Sequence, residues 1–184
     1  IRVEAVGPPL KGNIGKIAGD GEILIKGDNG MLGYWKNTEE TEKVLKNGWL
    51  HTGDIGEFEN SFLKITDRKK DIIITPGGDN ISPVRIENDL LKLDFIEQVL
   101  VYGDNKPYLV SLIVLNNDHK ELSNEKILHE IEKINKNLSK VEKIKKFILI
   151  KEQFSIENGM LTPTLKLKRY KIIQKYKKEL EKLY

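Results

Sequence analysis

Five consecutive charged residues, Asp67, Arg68, Lys69, Lys70 and Asp71, separate two apolar, β-branched runs at 62–66 and 72–75. Charge this dense resists burial, since taking each ion out of water without a partner costs on the order of several kcal/mol. The run is therefore expected to be a solvated connector between two separately packed bodies, a β-rich segment over 1–67 and a second domain over 68–184. A chain of 184 residues suits two such small bodies.

The residue pattern changes across the connector. Upstream, 14–17 and 21–26 are β-branched runs bracketed by Gly, Asp and Asn, as half-buried strands require. A short helix is expected from Asn37 to about Lys46, with Asn37 as its cap and Glu40 closing a capping box. Strands at 54–59 and 62–66 flank an Asn60-Ser61 turn. Downstream, a strand at 72–75 leads into a mobile turn through Pro76, Gly77, Gly78, Asp79 and Asn80. A helix follows, capped by Ser82, with Pro83 at the first position, where a missing N–H costs little. Ile81 and Ile86 form its hydrophobic staple, and Ile86, Leu90 and Leu93 its apolar stripe. Runs 96–102 and 108–115 read as a hairpin. A second helix starts at Ser123 with Ile127, Ile131, Ile134 and Leu138 on one face, and 147–150 is a further strand. The last helix runs from about Lys168, with Ile173, Tyr176, Leu180 and Leu183 apolar. The fold class is α+β, with an antiparallel sheet and about three helices in the second domain.

Composition narrows the function classes. The chain is 39% hydrophobic and 32% charged, which describes a folded protein in water rather than a disordered one. Its longest apolar runs are far shorter than the roughly 20 residues of a spanning helix. Ile1-Arg2-Val3-Glu4 carries neither an initiator Met nor a signal peptide's apolar centre. With no cysteine, disulfides, thiolate zinc sites and a Cys nucleophile are excluded, and an intracellular protein is the default expectation. Residues 1–117 hold 14 basic and 18 acidic groups, net −4, whereas 118–184 hold 17 and 10, net +7. Such a basic region can face a nucleotide, a membrane or nucleic acid. Because 27 of the 31 basic residues are Lys, and aromatics are not interleaved with them, nucleic acid is not expected as a partner.

Three segments are richer than structure alone demands. In Trp49-Leu50-His51-Thr52-Gly53-Asp54, Gly53 lets the backbone turn and Asp54 presents a carboxylate that can accept two hydrogen bonds from a vicinal diol such as a ribose; an Asx-type turn is the bland alternative. His51 reads equally as a packing residue. In the connector, Arg68 can meet phosphate or ribose oxygens, while Gly77-Gly78 allows close backbone approach to a ligand; a solvated linker and loop would look the same. In Leu161-Thr162-Pro163-Thr164-Leu165-Lys166-Leu167-Lys168-Arg169, Pro163 stiffens a loop that could hold one lysine at fixed reach of a transferring phosphorus centre. With 27 lysines, a solvated lysine is the alternative there.

Taken in order, Gly21-Glu22-Ile23-Leu24-Ile25-Lys26-Gly27, Gly33-Tyr34-Trp35, Trp49 to Asp54, Asp67 to Ile73, Gly77 to Pro83 and Leu161 to Arg169 resemble the adenylate-forming (AMP-binding) superfamily, most closely its long-chain fatty acyl-CoA synthetases. The resemblance spans nearly the whole chain and is least distinctive over 116–150. It implies an ATP-dependent acid–thiol ligase that converts a fatty acid to acyl-AMP with ATP and Mg²⁺, then transfers the acyl group to CoA. By motif, Asp54, Thr52 and Arg68 would hold AMP or ATP, and Lys166 would be the catalytic lysine, with Lys168 the alternative if the motif is shifted. Lys70 would be the hinge of a domain alternation that turns the Gly77-Gly78 loop toward CoA. No metal ligand is expected on this chain.

The departures matter as much. The family's phosphate loop, adenine motif and fatty-acid pocket have no counterpart in these residues. The chain is therefore expected to be the C-terminal piece of a longer synthetase, ending its large domain at 1–67 and forming the mobile lid at 68–184. Alone it is expected to be inactive, with the missing N-terminal domain as a partner beside ATP, fatty acid and CoA. The expected location is the cytoplasm, with peripheral contact at the inner membrane face. Two alternatives stand: a ligase passing the acyl group to a carrier protein or another acceptor, and a stand-alone partner- or lipid-binding module.

Overall fold

The computed structural model describes residues 5–184, and these divide into two compact units with the boundary between Lys70 and Asp71. The first unit is a twisted five-stranded antiparallel sheet. Its elements are β1 (Asn13–Ile17), β2 (Glu22–Gly27), helix α1 (Thr38–Val44), β3 (Leu45–Lys46), β4 (Trp49–Glu59) and β5 (Phe62–Arg68). The path is β1-β2-β4-β3, and β5 pairs with the far half of β4. Asn37 caps α1 as expected, its Oδ1 accepting the Glu40 N–H. The reciprocal half of the capping box is not made, because the Glu40 carboxylate turns to Lys43 at 2.6 Å.

That helix also stops two residues short of expectation. Leu45 and Lys46 leave it to pair with Leu50 and Trp49, across a turn whose Asn47 and Gly48 both have positive φ, 52° and 75°. Asn-Gly is the strongest short hairpin signal, and the strand pairing it closes wins over helix continuation. Asn60 and Ser61, also at positive φ, make the equivalent turn between β4 and β5.

The charged run is not wholly a solvated connector. Asp67 and Arg68 complete β5, and Asp67 is buried, its Oδ1 accepting the Arg68 N–H at 2.6 Å. Lys69–Asp71 form a single 3₁₀ turn at the unit boundary. Ordering these charges is tolerable because the buried carboxylate is hydrogen-bonded.

The second unit begins with a small hairpin, β6 (Ile73–Ile74) and β7 (Asn80–Ile81), followed by α2 (Pro83–Leu90). Then come β8 (Ile96–Tyr102), β9 (Leu109–Leu115), α3 (Asn124–Asn135), β10 (Ile144–Leu149), α4 (Arg169–Lys175) and α5 (Lys177–Glu181). Ser82 and Ser123 cap α2 and α3 through their hydroxyls. The α+β class holds, but the sheet is mixed rather than antiparallel. β8 and β9 form the expected hairpin, whereas β10 runs parallel to β9, because α3 carries the chain back along the sheet before β10 begins. The last helix is broken at Tyr176 (φ −100°, ψ 19°) into α4 and α5.

All seven residues of β9 are buried, so both faces of this sheet are covered. On one face lie Ile86 and Leu90 of α2 with Ile127 and Ile131 of α3. On the other lie Phe154, Met160, Ile172 and Leu180. Each fully buried Leu or Ile here contributes about 1.5–3 kcal/mol of transfer free energy. Asn135 ties α3 to β10 with two buried hydrogen bonds, donating to the Ile144 carbonyl and accepting its N–H, both at 2.9 Å.

Ser111, at the centre of β9, is the exception in this core. It is fully buried, opposite Val101 and Phe147 in register, and its Oγ has no hydrogen-bond partner among the described residues. An unpaired buried hydroxyl costs about 1–3 kcal/mol. Ser111→Ala is therefore expected to stabilise the chain by about 1 kcal/mol, read as a higher urea midpoint at unchanged slope. A lower midpoint would show that the hydroxyl is satisfied.

Candidate functional site

Three of the residues singled out by sequence meet on one end of the first sheet. Ile55 of β4 pairs with Glu22 of β2, and His51 with Leu24, so three β4 residues, Thr52, Gly53 and Asp54, stand opposite Ile23 alone. A bulge of this kind re-aims side chains. Gly53 adopts φ +70°, a conformation open to glycine and strained for most other residues. Thr52 Oγ1 donates to the Ile23 carbonyl at 2.7 Å and accepts the Asp54 N–H at 3.1 Å, closing the bulge. A second irregularity, between Ile55 and Gly56 against β5, follows at once. Asp54 thus sits between two breaks in the ladder.

Asp54 is in register with Arg68 on β5, and the Arg68 Nε lies 2.8 Å from Asp54 Oδ1. The guanidinium is 58% exposed and the carboxylate 21%. Among the described residues, one oxygen of Asp54 and the outer nitrogens of Arg68 enter no side-chain contact and can meet an external ligand. A carboxylate accepting from hydroxyls beside a planar donor array suits a ribose phosphate.

Behind this pair lies a cluster built on Glu22, which the sequence reading did not single out. Glu22 is buried. Its Oε1 accepts the Gly53 N–H at 2.9 Å, and its Oε2 meets His51 Nδ1 at 2.9 Å and Lys69 Nζ at 3.0 Å. His51 is thereby placed as a packing and hydrogen-bonding residue. Burial pushes the Glu22 carboxyl up, but hydrogen bonds from His51, Lys69 and Gly53 outweigh it and hold the group below the usual range. A depressed carboxyl contributes stability above its unfolded value, about 4.3, and that contribution is lost as pH falls through the folded value.

The remaining candidates are in the second unit or at its edge. Lys70 lies in the 3₁₀ turn, exposed, as the last residue of the first unit. Gly77 and Gly78 cap the β6–β7 hairpin, which is ordered by a local knot rather than free. Thr75 Oγ1 donates to Asp79 Oδ2 at 2.9 Å and accepts the Asp79 N–H at 3.0 Å, and the Gly78 N–H donates to the Thr75 carbonyl at 2.9 Å. Gly78 has φ +86° and open space where a Cβ would stand. The hairpin is further pinned by Asp104, whose carboxylate accepts the Ile74 N–H.

Lys166 lies on a closed loop. Thr162 N–H donates to the Lys166 carbonyl at 2.8 Å, and the Lys166 N–H donates to Thr162 Oγ1 at 3.0 Å. Leu165, at φ 61°, makes the turn, and a bridge between Leu161 and Leu167 closes its base. The Lys166 backbone is thus fixed while its side chain is exposed. Lys168 differs: half-buried, it is the residue before α4, with its carbonyl accepting from Lys171 and Ile172. Immediately beyond, Arg169 is clamped by Glu87 of α2, its Nη1 lying 2.7 and 2.9 Å from the two carboxylate oxygens, while Nη2 donates to the Val101 carbonyl at 2.6 Å. Glu87 Oε1 also accepts the Val101 N–H at 2.6 Å. Nothing local in the sequence marks this pair, since its partners are 82 residues apart.

An apolar cavity of about 260 Å³ beside Pro9, Ile14, Ile25 and Phe58 of the first unit contains none of these candidates. Among the described residues, no helix is long and apolar enough to cross a membrane.

The second unit is thus a mixed three-stranded sheet with helices on both faces, and the Lys166 loop leads into α4, whose Arg169 is tied to α2. The family model of the AMP-binding enzyme C-terminal domain matches residues 70–184, and the chain belongs to that family. Among curated proteins, the long-chain-fatty-acid–CoA ligase FadD15 of Mycobacterium tuberculosis is 34% identical over 100% of this chain and 34% of its own length. Long-chain-fatty-acid–CoA ligase 5 of Mus musculus is 37% identical over 94% of this chain and 29% of its own. The chain spans about a third of the length of these relatives. Among solved structures, the adenylation domain of a carboxylate reductase from Mycobacterium chelonae matches 96% of this chain and 31% of its own, with TM-score 0.83 and 25% identity. The O-succinylbenzoate coenzyme A synthetase of Bacillus subtilis, in complex with AMP, matches 92% of this chain and 35% of its own, with TM-score 0.72 and 29% identity.

Proposed function

We propose that this chain is the ribose-binding turn, hinge and lysine-bearing lid of an ATP-dependent long-chain fatty acid–CoA ligase. The observation that carries the reading is the Asp54–Arg68 pair, held at 2.8 Å beside two strand irregularities and partly exposed to solvent. The full-length names of the curated relatives supply the acyl and thiol substrates, and support CoA rather than a carrier protein as acceptor. Exposed apolar residues of the first unit, Leu32 and Trp35 among them, are what the larger body of such a ligase would cover.

In the first half-reaction a fatty acid carboxylate oxygen attacks the α-phosphorus of ATP, and the bond to pyrophosphate breaks. Asp54 accepts from the ribose hydroxyls with its free oxygen, and Arg68 donates to the nucleotide. Lys166 brings a cation between the attacking carboxylate and the α-phosphate, where negative charge concentrates. Mg²⁺ would enter with the ATP phosphates, and no residue of this chain is assigned to hold it. In the second half-reaction the thiol sulfur of CoA attacks the acyl carbonyl, AMP departs and the thiol proton passes to solvent. Rotation about Lys70 would withdraw Lys166 and present the Gly77-Gly78 hairpin, whose ordered knot gives it one shape in both states.

The test separates the half-reactions in the ligase carrying this chain. The parent enzyme is expected to exchange pyrophosphate into ATP with a long-chain fatty acid, and to form the CoA thioester. Lys70→Pro, which fixes φ at the boundary, is expected to retain exchange and to lose most thioester formation. Equal loss of both steps would remove the hinge, and absence of both from the parent would remove the ligase reading.

A further inference from the structure

Lys69, the residue before the assigned hinge, is tied back into the first sheet at two points. Its Nζ lies 2.7 Å from Asp20 Oδ2 and 3.0 Å from Glu22 Oε2. Asp20 and Glu22 are themselves joined, since the Glu22 N–H donates to Asp20 Oδ1 at 3.2 Å. Glu22 in turn holds the Gly53 N–H, one residue before Asp54, while Arg68, one residue before Lys69, is the partner of Asp54. The boundary between the units falls directly after Lys70.

We propose that Asp20, Glu22 and Lys69 form an anchor that ends the rigid part of the first unit at Lys69, so that rotation begins at Lys70 and is not transmitted to the Asp54–Arg68 pair. This rests on the assignment of Lys70 as the hinge. The physical need is specific. Arg68 and Lys70 are two residues apart, so torque on the second would pull the guanidinium from its carboxylate unless the residue between them is fixed. An ammonium held by two carboxylates, one of them buried, is such a fixture, because moving it would take from the Glu22 carboxylate one of the three partners that hold it. Glu22 and Lys69 are positioning residues in this scheme, acting on the nucleotide through Asp54 and Arg68.

Hydrogen exchange on this chain tests the anchor without any catalytic readout. Lys69 is 46% exposed, so Lys69→Met should leave the fold intact. It is expected to speed amide exchange about fivefold over residues 68–71 and to leave 50–56 unchanged, the size of effect a small ion-pair network supports. Lys69→Arg should restore the parent rate, and Glu22→Ala should speed both segments. A Lys69→Met profile unchanged at 68–71, or no rescue by Lys69→Arg, overturns the anchor. In the ligase, Lys69→Met is expected to raise KM for ATP in the exchange reaction with kcat nearly kept, whereas a bond that served stability alone would lower the melting temperature and leave KM where it was. Failure of the hinge assignment shows instead in the Lys70→Pro partition, so the two can be told apart.

Discussion

Arg169→Ala is expected to destabilise the second unit by about 3–5 kcal/mol, the range for removing one partner of a buried ion pair. The side chains of Arg169 and Glu87 are 10% and 6% exposed. Alanine would leave Glu87 charged and without the Arg169 nitrogen that meets both of its carboxylate oxygens, and the Val101 carbonyl without the Arg169 donor. Against a total stability of about 5–15 kcal/mol, that loss is large enough to put part of the population in the unfolded state. Arg169→Lys should recover little, because one ammonium cannot replace two guanidinium nitrogens that reach the carboxylate and the Val101 carbonyl separately. Glu87→Gln combined with Arg169→Met should recover more, since the amide oxygen still accepts the Val101 N–H and no bare charge remains. Urea unfolding of the three variants decides the matter, and an Arg169→Ala value within about 1 kcal/mol of the parent would mean that water reaches the Glu87 carboxylate.

Why this pair escaped the sequence while the helix caps did not is a matter of range. Asn37, Ser82 and Ser123 announce helix starts because the groups they satisfy lie three residues on. The β8–β9 hairpin was equally legible, its two apolar runs flanking one turn. Glu87 sits on α2 among polar neighbours, and only the folded unit brings it to Arg169. The same holds for Glu22, a polar residue at the head of an apolar strand, whose three partners come from β4 and from the chain after β5. Its local surroundings, Gly21 and Ile23, speak for a strand and are silent about a buried carboxylate.

Where the sequence reading went astray, a competing local signal or a non-local pairing decided. Leu45 and Lys46 continue a helical pattern well enough, but Asn47-Gly48 makes a hairpin that recruits them as a strand. The mixed sheet follows from the crossover through α3, which no periodicity within β10 reveals. At the candidate site, Thr52, Gly53 and Asp54 were noticed as residue types, whereas the bulge that turns Asp54 outward became visible only from its register against β2. Chemistry-bearing residues were thus legible singly, and their supports were not.

On the proposed function, Lys166→Ala in the full-length protein is expected to lower acyl-adenylate formation about 10²–10³-fold, as loss of one preorganised charge-stabilising group does elsewhere. The loop makes the expectation specific. Its backbone is closed by the Thr162–Lys166 hydrogen bonds and by the Leu161–Leu167 bridge, so the position from which the side chain extends is set before substrate arrives. The ammonium itself is exposed and, among the described residues, enters no ion pair. Removing it should therefore leave the melting temperature unchanged, in contrast to Arg169→Ala three residues on. Thioester formation from supplied acyl-adenylate should be nearly unaffected, because in the proposed alternation that step follows rotation of the loop away. Lys168→Ala supplies the comparison: its side chain begins half-buried at the foot of α4, and its loss should slow adenylation far less. A larger loss at Lys168 than at Lys166 would move the catalytic assignment by two residues. Equal loss of both half-reactions at Lys166 would contradict a lysine that serves the first of them alone.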